Sequence, residues 1–379
     1  MKYRIEIITA MVALLISSFG QKSADAQPYP TTNNLVKLTD ENMPEVEYFS
    51  LKKIKLPEKY AHSQYHVYND SVVIIVNERH PQPYIVTFYN LNTKKEMAGF
   101  FKKGNGPNEM VSASGKMCCN YLAVLDYSTH AISRLNIDSV LAEGKAYKPY
   151  ITRLDCFMVS DFAYCDENTI TMPNSMYVSN AYGVDGLPEF VQYDAKTGKT
   201  LAKYKQNDKN YPSNLLNRTI AFTGTKYYVF WFNYPIITIY DKNFNLLKMY
   251  RDEKFKDPEI IVEEPYSELL AGGDNNFALY IAQTDNYIFA KSGRFQMTRS
   301  EVKNKGNKWR QSDDYNLTRA KNQEIWCFDN EMNFVRRFKC SDKISIIKNV
   351  SYNEKSKTLF VSAMDEDDEY CLYKCIFKK

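Results

Sequence analysis

Val72-Val73-Ile74-Ile75-Val76 follows the polar turn Asn69-Asp70-Ser71. Five consecutive β-branched residues between turn formers are too short for a helix and suit a strand that is covered on both faces. The same kind of run recurs at Tyr121-Leu122-Ala123-Val124-Leu125, Thr169-Ile170-Thr171-Met172, Tyr227-Tyr228-Val229-Phe230-Trp231, Tyr287-Ile288-Phe289-Ala290 and Thr358-Leu359-Phe360-Val361. The starts of the six runs lie 49, 48, 58, 60 and 71 residues apart.

A second kind of run follows each of these, ending in aromatic or apolar residues and often in Asp. Its copies are Tyr84–Asn90, Ala131–Asp138, Glu189–Asp194, Ile236–Asp241, Glu324–Asp329 and Tyr370–Cys375. After the third, fourth and fifth copies come hairpin signals: Gly198 before Thr200–Tyr204, Asn243 and Asn245 before Leu246–Tyr250, and Asn330 and Asn333 before Phe334–Phe338. Turn residues that tolerate left-handed backbone or cap their own loops set such hairpins. A repeat of roughly 40–50 residues with about four strands is the signature of a propeller blade. The fold predicted is therefore all-β, a six-bladed β-propeller of four-stranded antiparallel blades over residues 46–379. The sixth unit ends at Lys379 before a fourth strand, while Val46–Leu56 is a spare strand near the N-terminus. That strand is expected to close the last blade and remove an open sheet edge.

The connections between second and third strands would share one face, and they are uneven. Residues 77–83 contain His80, Pro81 and Pro83. Residues 175–188 carry Tyr177, Asn180 and Tyr182, residues 233–235 are minimal, and residues 364–369 are acidic. The longest connection, 292–323, is rich in Lys and Arg and holds Trp309 and Arg310. Long loops of a compact domain concentrate binding, so Tyr177, Asn180, Tyr182, Trp309 and Arg310 are the candidate binding residues. The acidic turn invites comparison with a Ca²⁺ loop but lacks the glycine that an EF-hand requires.

Residues 1–26 read as a signal peptide. Lys2 and Arg4 precede the apolar stretch Ile7–Phe19, and Ala24-Asp25-Ala26 fits a small-x-small cleavage pattern. An apolar stretch of 13 residues is too short to span a bilayer, and no second long apolar run follows. The first cysteine is Cys118, so no lipid-bearing cysteine follows the apolar stretch. Residues 27–45 are expected as a linker and the mature protein as periplasmic or secreted, without stable membrane insertion. Export allows disulfides among the eight cysteines, of which Cys118 and Cys119 are adjacent; Cys371 and Cys375 share a strand face. A net charge of +4 excludes nucleic-acid binding driven by bulk charge, and 44% hydrophobic residues exclude a mostly disordered chain.

Gly104-Asn105-Gly106-Pro107-Asn108-Glu109 leaves the first unit as a G-x-G-P-x-E hexapeptide. With the repeats and the export signal, it resembles the TolB-like six-bladed β-propeller family common in Bacteroidota. Here Asn108 stands where relatives often carry Gly. The resemblance implies a propeller in the cell envelope or outside it, with a protein partner by analogy of fold. Gly104, Gly106, Pro107 and Glu109 are read as a structural turn between blades.

No G-x-S-x-G elbow, phosphate-binding loop, dinucleotide fingerprint or H-E-x-x-H motif occurs. The four histidines, His62, His66, His80 and His130, lack a zinc-ligand spacing on an extended chain. The sequence therefore favours a non-enzymatic binding or scaffold protein for a protein or glycan, with no catalytic residue, no metal site and no cofactor. The alternative is a lactonase-like hydrolase that holds Ca²⁺ or a similar ion in the central channel. Asn77, Glu78, Asn174, Asn180, Asn233 and Asp365 would be its available ligands.

Overall fold

The computed structural model of the chain describes residues 33–61, 63–77, 82–155, 161–173, 190–204, 218–232, 234–257, 259–263, 268–272, 274–297, 304, 322–331, 333–341, 346–364 and 370–377. Among these, six four-stranded antiparallel meanders follow one another. The first comprises Gln64–Asn69, Val72–Val76, Val86–Asn90 and Lys95–Phe100. The second comprises Ala113–Cys118, Tyr121–Asp126, Ala131–Asn136 and Ile151–Arg153. The third is Ala163–Tyr164, Thr169–Pro173, Phe190–Asp194 and Thr200–Tyr204. The fourth is Arg218–Phe222, Lys226–Trp231, Ile236–Asp241 and Leu246–Asp252. The fifth is Asp274–Gln283, Tyr287–Met297, Glu324–Asp329 and Phe334–Cys340. The sixth, Ile346–Asn353, Thr358–Met364 and Tyr370–Phe377, takes Val46–Ile54 as its fourth strand.

The period of two sends alternate residues of the second strands into two different cores. Val72, Ile74 and Val76 enter a core shared with Leu122 and Val124 of the second meander. Val73 and Ile75 point the other way, into a core shared with Phe360 and Leu372 of the sixth. Tyr121, Ala123 and Leu125 likewise pack on Phe162, Tyr164 and Ile170 of the third. Between the third and fourth, Phe190 and Tyr227 stack on Phe244 at 4.4 and 4.5 Å. Tyr228 and Phe230 join Ile288 and Trp326 of the fifth, and Phe289 and Ile325 join Leu359 and Val361 of the sixth. Each meander thus shares a core with the next, and the sixth with the first. This closed succession of meanders, with every second strand covered twice, is a β-propeller.

The turns after the third strands repeat one device. Asp241 Oδ1 accepts from the backbone N–H of Asn243 and Asn245, and Asp329 Oδ1 from those of Glu331 and Asn333. Asp194 Oδ1 accepts from Lys196 and Thr197 in the same way. These bonds satisfy loop amides that the ladder leaves unpaired.

Three features differ from the sequence reading. Residues 27–45 are not all linker: Leu35–Leu38 forms a strand parallel to Leu246–Asp252 of the fourth meander, and Leu38 and Met43 are buried. The run from Ala131 does not extend to Asp138. It turns at Asn136, whose Oδ1 caps the Ser139 N–H at 2.9 Å, into the short helix Ile137–Glu143. The connection 292–323 begins as strand, since Tyr287–Met297 is continuous.

Val46–Ile54 does more than complete the sixth meander. Its first residues also pair, in parallel, with Arg337–Cys340 of the fifth. Arg336 clamps Glu47 with two hydrogen bonds of 2.8 and 2.7 Å. Phe49 is fully buried and meets Phe377 edge-on at 6.0 Å. Phe49→Ala should lower unfolding stability by about 3–5 kcal/mol, measured by urea denaturation, because the cavity opens where two meanders are joined. Arg336→Ala, on a partly exposed pair, should cost about 1 kcal/mol or less.

Candidate functional site

The first strands of the meanders approach one another at the centre and are tied there by polar groups. Lys116 lies on Ala113–Cys118. Its Nζ donates to Asp161 Oδ2 at 2.7 Å, to the Phe162 carbonyl at 2.8 Å and to the Ile220 carbonyl at 2.6 Å. Asp161 Oδ2 also accepts the Ile220 N–H at 2.6 Å. One ammonium therefore joins the second, third and fourth meanders. Burial pulls the Lys116 pKa below its ordinary value, and the Asp161 carboxylate opposes that shift. From the fifth meander, Gln283 donates to the Phe222 carbonyl at 2.8 Å and accepts from Cys118 Sγ at 3.3 Å.

His66 of the first meander is buried beside Gly115, with neither ring nitrogen at hydrogen-bonding geometry to a side chain or backbone group. Burial holds its pKa down at about 4. The unfolded chain takes up this proton near pH 6.5. Stability from His66 is thus complete above 6.5 and falls as the pH drops toward 4, by about 1.4 kcal/mol per pH unit. His66→Leu should flatten this part of a stability–pH curve measured by chemical denaturation.

The second feature is a cleft of 550 Å³ between the last strand of the first meander and the segment after the helix. Its floor is the hexapeptide turn. The Glu109 carboxylate folds back to accept the Gly106 N–H at 2.9 Å, and the Gly104 N–H bonds the Met110 carbonyl at 3.0 Å. A Cβ on Gly104 would stand 2.1 Å from Glu109 Oε2, and one on Gly106 2.8 Å, so both positions need glycine for this closure. Pro107 lies exposed at the cleft.

On the wall, the Tyr84 ring lies against Gly99, where a Cβ would come within 2.3 Å of it. The ring is half-buried and also lines the cleft with Tyr147. Phe101, buried in the same wall, has φ +59°, a costly conformation for a bulky side chain. Lys102, Lys145 and Lys148 are exposed on the rim. Among the described lining residues Glu109 is the one carboxylate, and it is engaged by the turn.

Tyr177, Asn180, Tyr182, Trp309 and Arg310 lie outside the described residues, as do Glu78, Asn174, Asn233 and Asp365. Of the residues named as possible metal ligands, Asn77 is described. It is buried, accepts from Ser63 Oγ at 2.8 Å and donates to the Tyr84 carbonyl at 3.0 Å, which is the work of a loop former. Among the described residues, no cluster of three His, Cys, Asp or Glu is placed to hold a metal ion. Among the described residues, the Lys116 ammonium takes an Asp161 carboxylate oxygen and the Phe162 and Ile220 carbonyls. The seven described cysteines are thiols, and Cys371 and Cys375 share one core face. Sequence reading missed Lys116 and the cleft lysines. Nothing local marks Lys116, whose acceptors lie on other meanders.

No family model matches the chain, and no curated protein matches it. The fold is shared with a member of the DUF4221 family from Bacteroides vulgatus, with a TM-score of 0.51 at 11% identity over 88% of this chain and all of that one. It is shared equally with a candidate exported protein from Bacteroides fragilis, with a TM-score of 0.51 at 12% identity over 91% of this chain and all of that one. At these identities the likeness shows a common fold alone. The protein belongs by fold to the β-propellers. Among the described residues no helix is long and apolar enough to cross a membrane.

Lys116→Met should cost about 3–5 kcal/mol in urea unfolding, because it leaves the Asp161 carboxylate and two carbonyls without their cation. Adding Asp161→Asn should recover part of that loss, and a double-mutant cycle measures the coupling.

Proposed function

We propose that the protein is an exported, non-enzymatic β-propeller that binds a partner, and that the cleft beside Gly104–Glu109 takes an acidic glycan. The carrying observation is the pairing of a ring platform with a rim of cations. Tyr84 packs on Gly99 at the cleft wall, and an aromatic ring there suits packing of the C–H face of a sugar ring. Lys102, Lys145 and Lys148 supply positive charge for carboxylate or sulfate groups, and the one lining carboxylate among the described residues, Glu109, is engaged by the turn. Concave sites with aromatic walls and a few fixed polar groups are where ligands bind. A protein partner in the envelope, the expectation from the TolB-like resemblance, would meet the same surface.

Export rests on the basic start, short apolar stretch and Ala-Asp-Ala of residues 1–26. The exported character given to the Bacteroides fragilis relative by its name supports it. The mature chain would then be periplasmic or secreted after signal cleavage, and its six meanders the blades of a six-bladed ring. The hydrolase reading is less favoured. A metal at the centre would have to displace the Lys116 ammonium from Asp161 and the carbonyls of Phe162 and Ile220.

Isothermal titration with oligogalacturonate and with heparin fragments, against neutral oligosaccharides of equal length, tests the proposal. Binding should be restricted to the acidic set and weaken with salt. Replacing Lys102, Lys145 and Lys148 together by Ala should weaken it roughly tenfold or more. Gly99→Ala should weaken it by shifting the Tyr84 ring. Equal affinity for neutral and acidic chains, or no effect of the triple variant, would count against the cleft.

A further inference from the structure

Cys118 ends the first strand of the second meander, and Cys119 follows it in the turn Cys119–Asn120 with φ +52°. A non-glycine residue in this region is uncommon and here turns the chain sharply after the strand. Both cysteines are partly exposed thiols. The Cys119 N–H donates to the Gln283 carbonyl at 3.2 Å, and Cys118 Sγ lies 3.3 Å from Gln283 Oε1. The pair therefore sits where the second meander meets the fifth across the centre. Neither the cleft nor the partner-binding reading uses it.

The two thiols are not equivalent. Contact with the Cys119 thiol draws the Cys118 pKa down against burial, helped by Tyr121 and then by the nearby cations Lys116 and Arg134. The Cys118 sulfur, burial and Asp285 push that of Cys119 up. A thiolate is the nucleophile in disulfide exchange, and its neighbour is placed to resolve the product.

We infer that Cys118 and Cys119 form a redox-active vicinal dithiol that closes to a disulfide by exchange with a disulfide substrate. The Cys118 thiolate attacks one sulfur of the donor, forming a mixed disulfide and releasing one donor thiolate. Cys119 then loses its proton and attacks Cys118 Sγ, releasing the second donor thiolate. Two protein thiols are oxidised, one donor disulfide is reduced to two thiols, and two protons leave the protein. Consecutive Cα atoms are about 3.8 Å apart, below the roughly 4.4–6.8 Å span of relaxed disulfides. The closed form is thus strained and easily reduced, as labile rather than structural disulfides are. Closing it also removes the S–H that faces Gln283.

The test equilibrates the purified protein with mixtures of reduced and oxidised glutathione, quenches in acid and alkylates with iodoacetamide in denaturant. Trypsin then releases Met117–Arg134, which holds Cys118, Cys119 and no other cysteine. As the oxidised share rises, the wild-type peptide should lose both alkyl groups and become lighter by two hydrogens. Cys119→Ser, lacking the resolving thiol, should instead accumulate a glutathione adduct on Cys118. Cys118→Ser should accumulate far less on Cys119. A wild-type peptide alkylated on both cysteines at every ratio overturns the inference, whether or not the variants fold. So does its recovery cross-linked to a peptide carrying another cysteine.

Discussion

The second strand of each meander is buried on both faces, and this constraint organises the molecule. Val73 and Ile75 need the sixth meander as much as Val72 and Ile74 need the second. A single meander would leave one apolar face in water. Burial at roughly 25 cal/mol per Å² therefore rewards only the closed set. The closing strand Val46–Ile54 follows from the same demand. It covers the outer edge of the sixth meander and pairs with the fifth, so Phe49 lies under two neighbours at once.

Packing between meanders is apolar, but the centre is not. The first strands bring backbone groups and polar side chains into a space with little water, where each must find a partner. The Lys116 ammonium satisfies two carbonyls and a carboxylate from two other meanders, and Gln283 reaches to the fourth and the second. A cation fixed by the chain thus serves as the central link. The vicinal cysteines occupy the end of the same strand, so their chemistry touches the contact between opposite meanders.

The cleft has a different origin. The third strand of the second meander leads through Asn136 into a helix of about two turns, and the return segment brings Tyr147 edge-on against Phe100 of the first meander at 5.8 Å. The Gly104–Glu109 turn fills the base of the gap, held shut by its own carboxylate. Lys102 and Lys145 lie far apart in sequence, Lys102 in no more than a Lys-Lys pair and Lys145 flanked by Gly144 and Ala146. Their common rim was therefore invisible to a reading that looked for charge clusters. The basic segment around Trp309 and Arg310 was conspicuous in sequence but lies outside the described residues.

The sequence by itself determined the strand repeat and the turns. Five consecutive β-branched residues leave the chain few choices, and Asp241 and Asp329 cap the amides just after them. It also marked Val46–Leu56 as a strand outside the repeat. Only the tertiary structure decided what the chain places together. The linker segment Leu35–Leu38 is strand because Leu246–Asp252 offers it an edge. Lys116 is a central tie because Asp161 and Ile220 arrive from other meanders, and Tyr84 is a platform because Gly99 makes room for it. Local propensity depends on neighbours in the chain. A site depends on residues brought together by closure of the ring, and the pattern along the chain carries no record of which ones will meet.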